Sequence, residues 1–121
     1  MISTRGVSLV FAAALFALVG TACAGQQSTA SIALSEFTIK PKGVQAVAGV
    51  PMMLTLVNSG KIEHNLEVDA RISDQTTLAV LKPGESKTVT FTPKIAGTFP
   101  FACTIPGHAP AGMVGTLTIN P

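Results

Sequence analysis

The segment Cys103-Thr104-Ile105-Pro106-Gly107-His108-Ala109-Pro110-Ala111-Gly112-Met113 carries a thiol, an imidazole and a thioether at the spacing C-x4-H-x4-M. All three side chains are metal ligands by type. Pro106, Gly107, Pro110 and Gly112 bend the chain between them, so a loop of this composition can turn all three toward one point. A second nitrogen donor is needed, and His64 is the one other histidine of the chain. Cys103, His64 and His108 with Met113 form the donor set of a trigonal His2Cys site with a weak axial thioether, a set that suits copper. Soft sulfur favours Cu(I), and imidazole tolerates both oxidation states. A geometry between the two preferences changes little when an electron moves. The chemistry implied is one-electron transfer through a single copper ion cycling between Cu(I) and Cu(II).

Each of these residues, taken alone, has a plainer explanation. A buried lone cysteine behaves as a small hydrophobe. A histidine on an apolar strand face is more often a hydrogen-bonded core residue, and a methionine before a strand is usually packing. What those explanations leave out is the ordered spacing of the three within one loop.

The elements that must position this loop read as β-structure. Ile32, Leu34, Phe37 and Ile39 lie in one strand-like run ended by Pro41, and Val44 to Ala48 is a second run closed by Gly49. Met52 to Val57 is a stronger apolar strand, stopped by Asn58-Ser59-Gly60. His64, Leu66 and Val68 share a face at period 2. Residues 69–81 are the least readable part and suit either a turn of helix or short edge strands. Lys82-Pro83-Gly84-Glu85 is a turn by its chemistry. Lys87 to Thr92 alternates, Gly97 opens a strand with Phe99, Phe101 and Cys103 on one face, and Gly115, Leu117 and Ile119 share a face of the last strand. Seven to eight short strands separated by turn signals predict an all-β sandwich or barrel. With no Trp and no Tyr, Phe37, Phe91, Phe99 and Phe101 are expected to supply its bulky core.

The first 24 residues stand apart. Arg5 is the one charged residue before Glu36, Val7 to Val19 is almost wholly apolar, and small residues follow at Gly20 to Ala24. That is the order of a secretory signal, with an apolar run too short to span a membrane. Two cuts stay open. Ala22-Cys23-Ala24 fits an A-x-A site, giving a soluble form from Gly25. Thr21-Ala22-Cys23 is an imperfect lipoprotein box, in which the cut falls before Cys23 and a lipid on that cysteine tethers the protein to a membrane. The expected organisation is a signal at 1–24, a short polar tail or tether at 25–31, and one domain at 32–121. Once the leader is gone, Cys103 has no partner cysteine, and a lone cysteine in an exported protein is a free thiol or a ligand. The remaining net charge of about +1 shows no clustered basic face, which argues against nucleic acid.

The segments Gly97 to Cys103 and Gly112 to Ile119 resemble the C-terminal copper loop of the cupredoxins, the blue (type 1) copper proteins. Ala111-Gly112-Met113-Val114-Gly115 is similar to the plastocyanin ending. The spacing from Cys103 to His108 is the longer one seen in azurin, rusticyanin and auracyanin, and that from His108 to Met113 matches the last two better. His64-Asn65 also matches the family. The resemblance implies a cupredoxin-like Greek-key β-sandwich with copper held by His64, Cys103, His108 and Met113. It implies an Asn65 side chain tied to Thr104, and an N–H of Asn65 donated to the Cys103 sulfur. Ile105 keeps an N–H where plastocyanin-like loops have Pro, so a second N–H···S bond is expected there. His108 is expected to show its edge at the surface inside an apolar collar of Pro106, Ala109, Pro110 and Ala111. The protein implied is a monomeric, non-enzymatic electron carrier, exported to the periplasm or to the outer side of a bacterial membrane. It would make transient contact with a redox donor and an acceptor. Copper storage or delivery is the alternative.

Overall fold

Alternating burial along the chain resolves into strands, because a period of two sends successive side chains to opposite faces. A computed structural model describes residues 25–121. The proposed signal, the two alternative cuts and Cys23 lie outside the described residues. Among the described residues there are nine strands: β1 (Ser28–Ser35), β2 (Thr38–Lys40), β3 (Gly43–Val47), β4 (Met52–Asn58), β5 (His64–Val68), β6 (Thr77–Leu81), β7 (Ser86–Phe91), β8 (Gly97–Ala102) and β9 (Val114–Asn120). They form a four-stranded sheet in the order β2-β1-β4-β7 and a five-stranded sheet in the order β3-β9-β8-β5-β6. β1 runs parallel to β4 and β3 parallel to β9, while the other pairs are antiparallel. The core lies between the sheets. Ile32, Leu34, Leu54 and Leu56 meet Leu66, Phe99, Phe101, Leu117 and Ile119 there, as in a two-sheet sandwich.

Three expectations need correction. The polar stretch before residue 32 is not all tail. Ser28 to Ser31 pair in register with Met52 to Thr55, so the domain begins with β1 at Ser28. The run from Ile32 to Ile39 is two strands, because the chain reverses at Glu36-Phe37 and β2 folds back on β1. Phe37 therefore sits in the turn with 46% of its surface exposed and is not part of the core. In the ambiguous stretch 69–81 the chain makes a turn and then the edge strand β6; no helix occurs among the described residues. Of the adjacent methionines, Met52 faces the core and Met53 faces out.

Candidate metal centre

The site forms at one end of the sandwich, where β8 ends, β9 and β5 begin, and the β1–β2 turn closes over the edge. Cys103 follows β8 directly, and its N–H donates to the Met113 carbonyl at 3.0 Å. That bond closes the loop at its base. Inside it, the His108 N–H donates to Ile105 O (3.0 Å), Gly112 N–H to Ala109 O (3.0 Å) and Met113 N–H to His108 O (3.1 Å). The loop is thus a series of turns braced by its own backbone, as its Pro and Gly content requires.

His64 opens β5 opposite Leu81 of β6. His64, Cys103 and Met113 are completely buried, and His108 keeps 7% of its surface. One ligand atom from each of His64, Cys103 and His108 lies within 4.8 Å of the others. The two Nδ1 atoms are 3.2 Å apart, and His108 Nδ1 is 3.4 Å from the Cys103 sulfur. Cys103 is unpaired. Two imidazole nitrogens aimed at each other beside a thiol make poor neighbours as neutral acceptors, since a lone pair then faces a lone pair. As donors to one cation they are well placed. The donor set, two borderline nitrogens and a soft sulfur, fits copper.

The loop is tied to the sheet by Asn65. Its side-chain amide donates to Thr104 Oγ1 at 2.8 Å, and its Oδ1 accepts the Thr104 N–H at 2.7 Å. The hydrogen bonds of the described residues include neither of the expected N–H···S bonds, from Asn65 or from Ile105. The β5–β8 ladder pairs only Glu67 with Ala102 and Val68 with Phe101, so the strands have parted before they reach the level of Asn65 and Cys103. The Asn65 side chain spans that gap. Pro106, Pro110 and Ala111 are exposed around His108, with Ala109 half-buried.

Three residues at this end escaped the sequence reading. Asn58 is fully buried and holds the β4–β5 loop together. Its amide donates to Ile62 O (2.8 Å) and Leu81 O (2.9 Å), and its Oδ1 accepts the Gly60 N–H (2.9 Å). Glu36 Oε1 accepts the N–H groups of Lys61 (2.6 Å) and Ile62 (3.0 Å) and lies 3.4 Å from His64 Nε2. The Lys61 N–H, helped by those of Ile62 and Glu36 and by His64, holds the Glu36 carboxyl below its ordinary value, against an opposing desolvation. The Phe37 ring stands edge-on to His108, 5.4 Å between centroids. A signal for this turn was in the sequence. The buried positions run Ile32, Leu34 and then Ile39, and an even-to-odd change of phase requires a break between them.

The cupredoxin-like domain family matches residues 8–119. The chain belongs to that family. Auracyanin-B of Chloroflexus aurantiacus is 54% identical over 43 residues, covering 36% of this cupredoxin and 18% of that protein. The copper-resistant cuproprotein CopI of Pseudomonas aeruginosa is 46% identical over 48 residues, 40% of this chain and 26% of its own length. The aligned parts therefore span well under half of both curated relatives. The crystal structure of dithionite-reduced auracyanin from Roseiflexus castenholzii superposes with a TM-score of 0.68 at 26% identity, covering 78% of this chain and 98% of that one. The cofactor of this cupredoxin is one copper ion.

Proposed function

We propose that this cupredoxin is an exported one-electron carrier whose copper is held by His64, Cys103, His108 and Met113. The observation that supports the reading most is the buried convergence of two imidazoles and one thiol beneath a loop that braces itself. When bound, copper supplies the Cu(I)/Cu(II) couple. The protein's part is to keep the donors still: β5 fixes His64, the Cys103–Met113 backbone bond fixes the two ends of the loop, and Asn65 joins loop to sheet. Donors that barely move on electron transfer keep the barrier low.

His108 is the least buried of the four and sits among Pro106, Ala109, Pro110 and Ala111. A small uncharged collar suits the brief, low-area encounters of redox partners. Four side chains converging on one ion leave no open position for a substrate, which argues against catalysis. Export is inferred from the leader at 1–24, with a tether through Cys23 if that residue is lipidated. Intact-mass analysis of the native N-terminus distinguishes the tethered form from the soluble one.

The test is optical and electrochemical. The copper-loaded protein should be intensely blue and should cycle reversibly by one electron, and Cys103→Ser should abolish the colour. A colourless cupric protein would overturn the reading. The likeness to CopI supports a second reading, copper binding for resistance, in which the ion is handed on. Transfer to a competing chelator separates the two: retention over hours supports the carrier, and rapid release supports delivery.

A further inference from the structure

We propose that the Glu36–Phe37 turn is a positioning element that orients both imidazoles, Glu36 fixing His64 and Phe37 fixing His108. The inference rests on those two histidines being ligands and extends that reading to residues of the opposite sheet.

Glu36 and Phe37 belong to the β1–β2 turn of the four-stranded sheet, whereas His64 opens β5 of the five-stranded one and Cys103 follows its β8. Glu36 reaches across the end of the sandwich. Its Oε1 takes the N–H groups of Lys61 and Ile62, which anchors the carboxylate, and the same oxygen faces His64 Nε2. A carboxylate at Nε2 selects the tautomer with its proton there, leaving the Nδ1 lone pair turned toward His108 and Cys103. Fixing the tautomer through the outer nitrogen is a general device of metal-binding histidines. Gly60 completes the fit, because a Cβ at that position would collide with the Glu36 carboxylate.

Phe37 acts on the other ring. Its φ of +30° is left-handed, a region that bulky side chains avoid. Glycine or asparagine would serve a bare turn better. The phenyl group is nevertheless there, half-exposed, with its ring edge-on to His108 at an interplanar angle of 84°. Gly112, at φ +120°, brings the ligand loop down onto the Phe37 carbonyl, 3.4 Å from where a Cβ would lie. The strained backbone is what directs the ring at the imidazole.

The experiment begins with the copper-free protein, whose imidazole tautomers are read by long-range 1H–15N NMR. In the wild type at neutral pH, His64 should carry its proton on Nε2. Glu36→Gln keeps an acceptor oxygen in place and should preserve that state, whereas Glu36→Ala should lose it. Gly60→Ala pushes the same carboxylate away from the other side and should reproduce the loss should Glu36→Ala fail to fold. With copper, Glu36→Ala should weaken Cu(II) affinity by about 10- to 100-fold. Where Cu(I) affinity is unchanged, each tenfold raises the potential by ~59 mV. Phe37→Gly relieves the backbone, so the melting temperature should hold while the His108 ring changes orientation, read from NOE distances between its ring protons and the rest of the ligand loop. A His64 tautomer indifferent to both Glu36→Ala and Gly60→Ala, or a His108 ring indifferent to Phe37→Gly, would overturn the proposal. A wild type that never turns blue condemns the carrier reading instead, and the metal-free spectra still judge the turn.

Discussion

Strand β5 meets a carboxylate at each end, and the two contacts are opposite in kind. At its start, His64 is fully buried and Glu36 Oε1 stands 3.4 Å from its Nε2. Just past its end, Asp69 and Arg71 pair at 2.6 Å with the guanidinium mostly in solvent. Judged by distance, the second contact is the stronger. Judged by surroundings it is the weaker, because water screens an exposed pair while a buried ring feels its neighbour in a low dielectric. The Arg71 guanidinium also lies over the Phe99 ring, 4.9 Å from its centroid, so it covers a core aromatic as well as answering a charge. One end of the strand serves chemistry and the other serves the fold.

The largest contrast should come from removing the side chain at each end. His64→Ala takes away a nitrogen donor, so the blue absorption should vanish. Cupric affinity should fall by more than the ~10- to 100-fold typical of losing an outer partner. Arg71→Ala should leave colour and affinity untouched. Titration with cupric ion followed in the visible range checks both, and an Arg71 variant with altered colour would break the division between the two ends. A charge in the collar comes next. Ala111→Glu should slow electron exchange with a protein partner by about tenfold, within the range over which association rates respond to single changes. The spectrum should stay the same, and stopped-flow mixing reads the rate. A smaller effect is expected at the seam between loop and sheet. Asn65→Ala removes both bonds to Thr104, which should cost about 1 kcal/mol and lower the melting temperature by roughly 4–8 °C.

The two ends also differ in how far they could be read from the chain. The ligand loop was legible because Cys103, His108 and Met113 lie within one turn-rich segment, where residue type and spacing carry the chemistry together. His64 was legible because the chain has one other histidine. Glu36 and Phe37 were not, since their partners lie 25 or more residues away and depend on which sheet folds over which. An apolar Phe beside alternating Ile and Leu reads as core until the change of phase is noticed. Asn58 reads as a strand stop for a similar reason. Its residue type announces a turn, and only the packed structure shows its amide joining β4 to the end of β6. The N–H···S bonds came from the resemblance alone, and the early parting of β5 from β8 is a matter of register that residue types do not encode.

The smallest expected effect sharpens the far end of β5. The Arg71 side chain, and then its N–H, hold the Asp69 carboxyl at about 2, down from an ordinary 3.8. A carboxyl lowered on folding binds its proton less readily in the native state than in the unfolded one. Its contribution is therefore complete above roughly pH 4 and disappears as the pH falls through about 2. Asp69→Asn has no such proton to take up. The gap in denaturation midpoint between wild type and Asp69→Asn should be small at pH 5 and should close as pH 2 is approached. It should also narrow in 1 M salt, where screening acts over ~3 Å. A gap that persisted at pH 2 would mean that Asp69 acts through its shape at the turn, accepting the Arg71 N–H, and not through its charge.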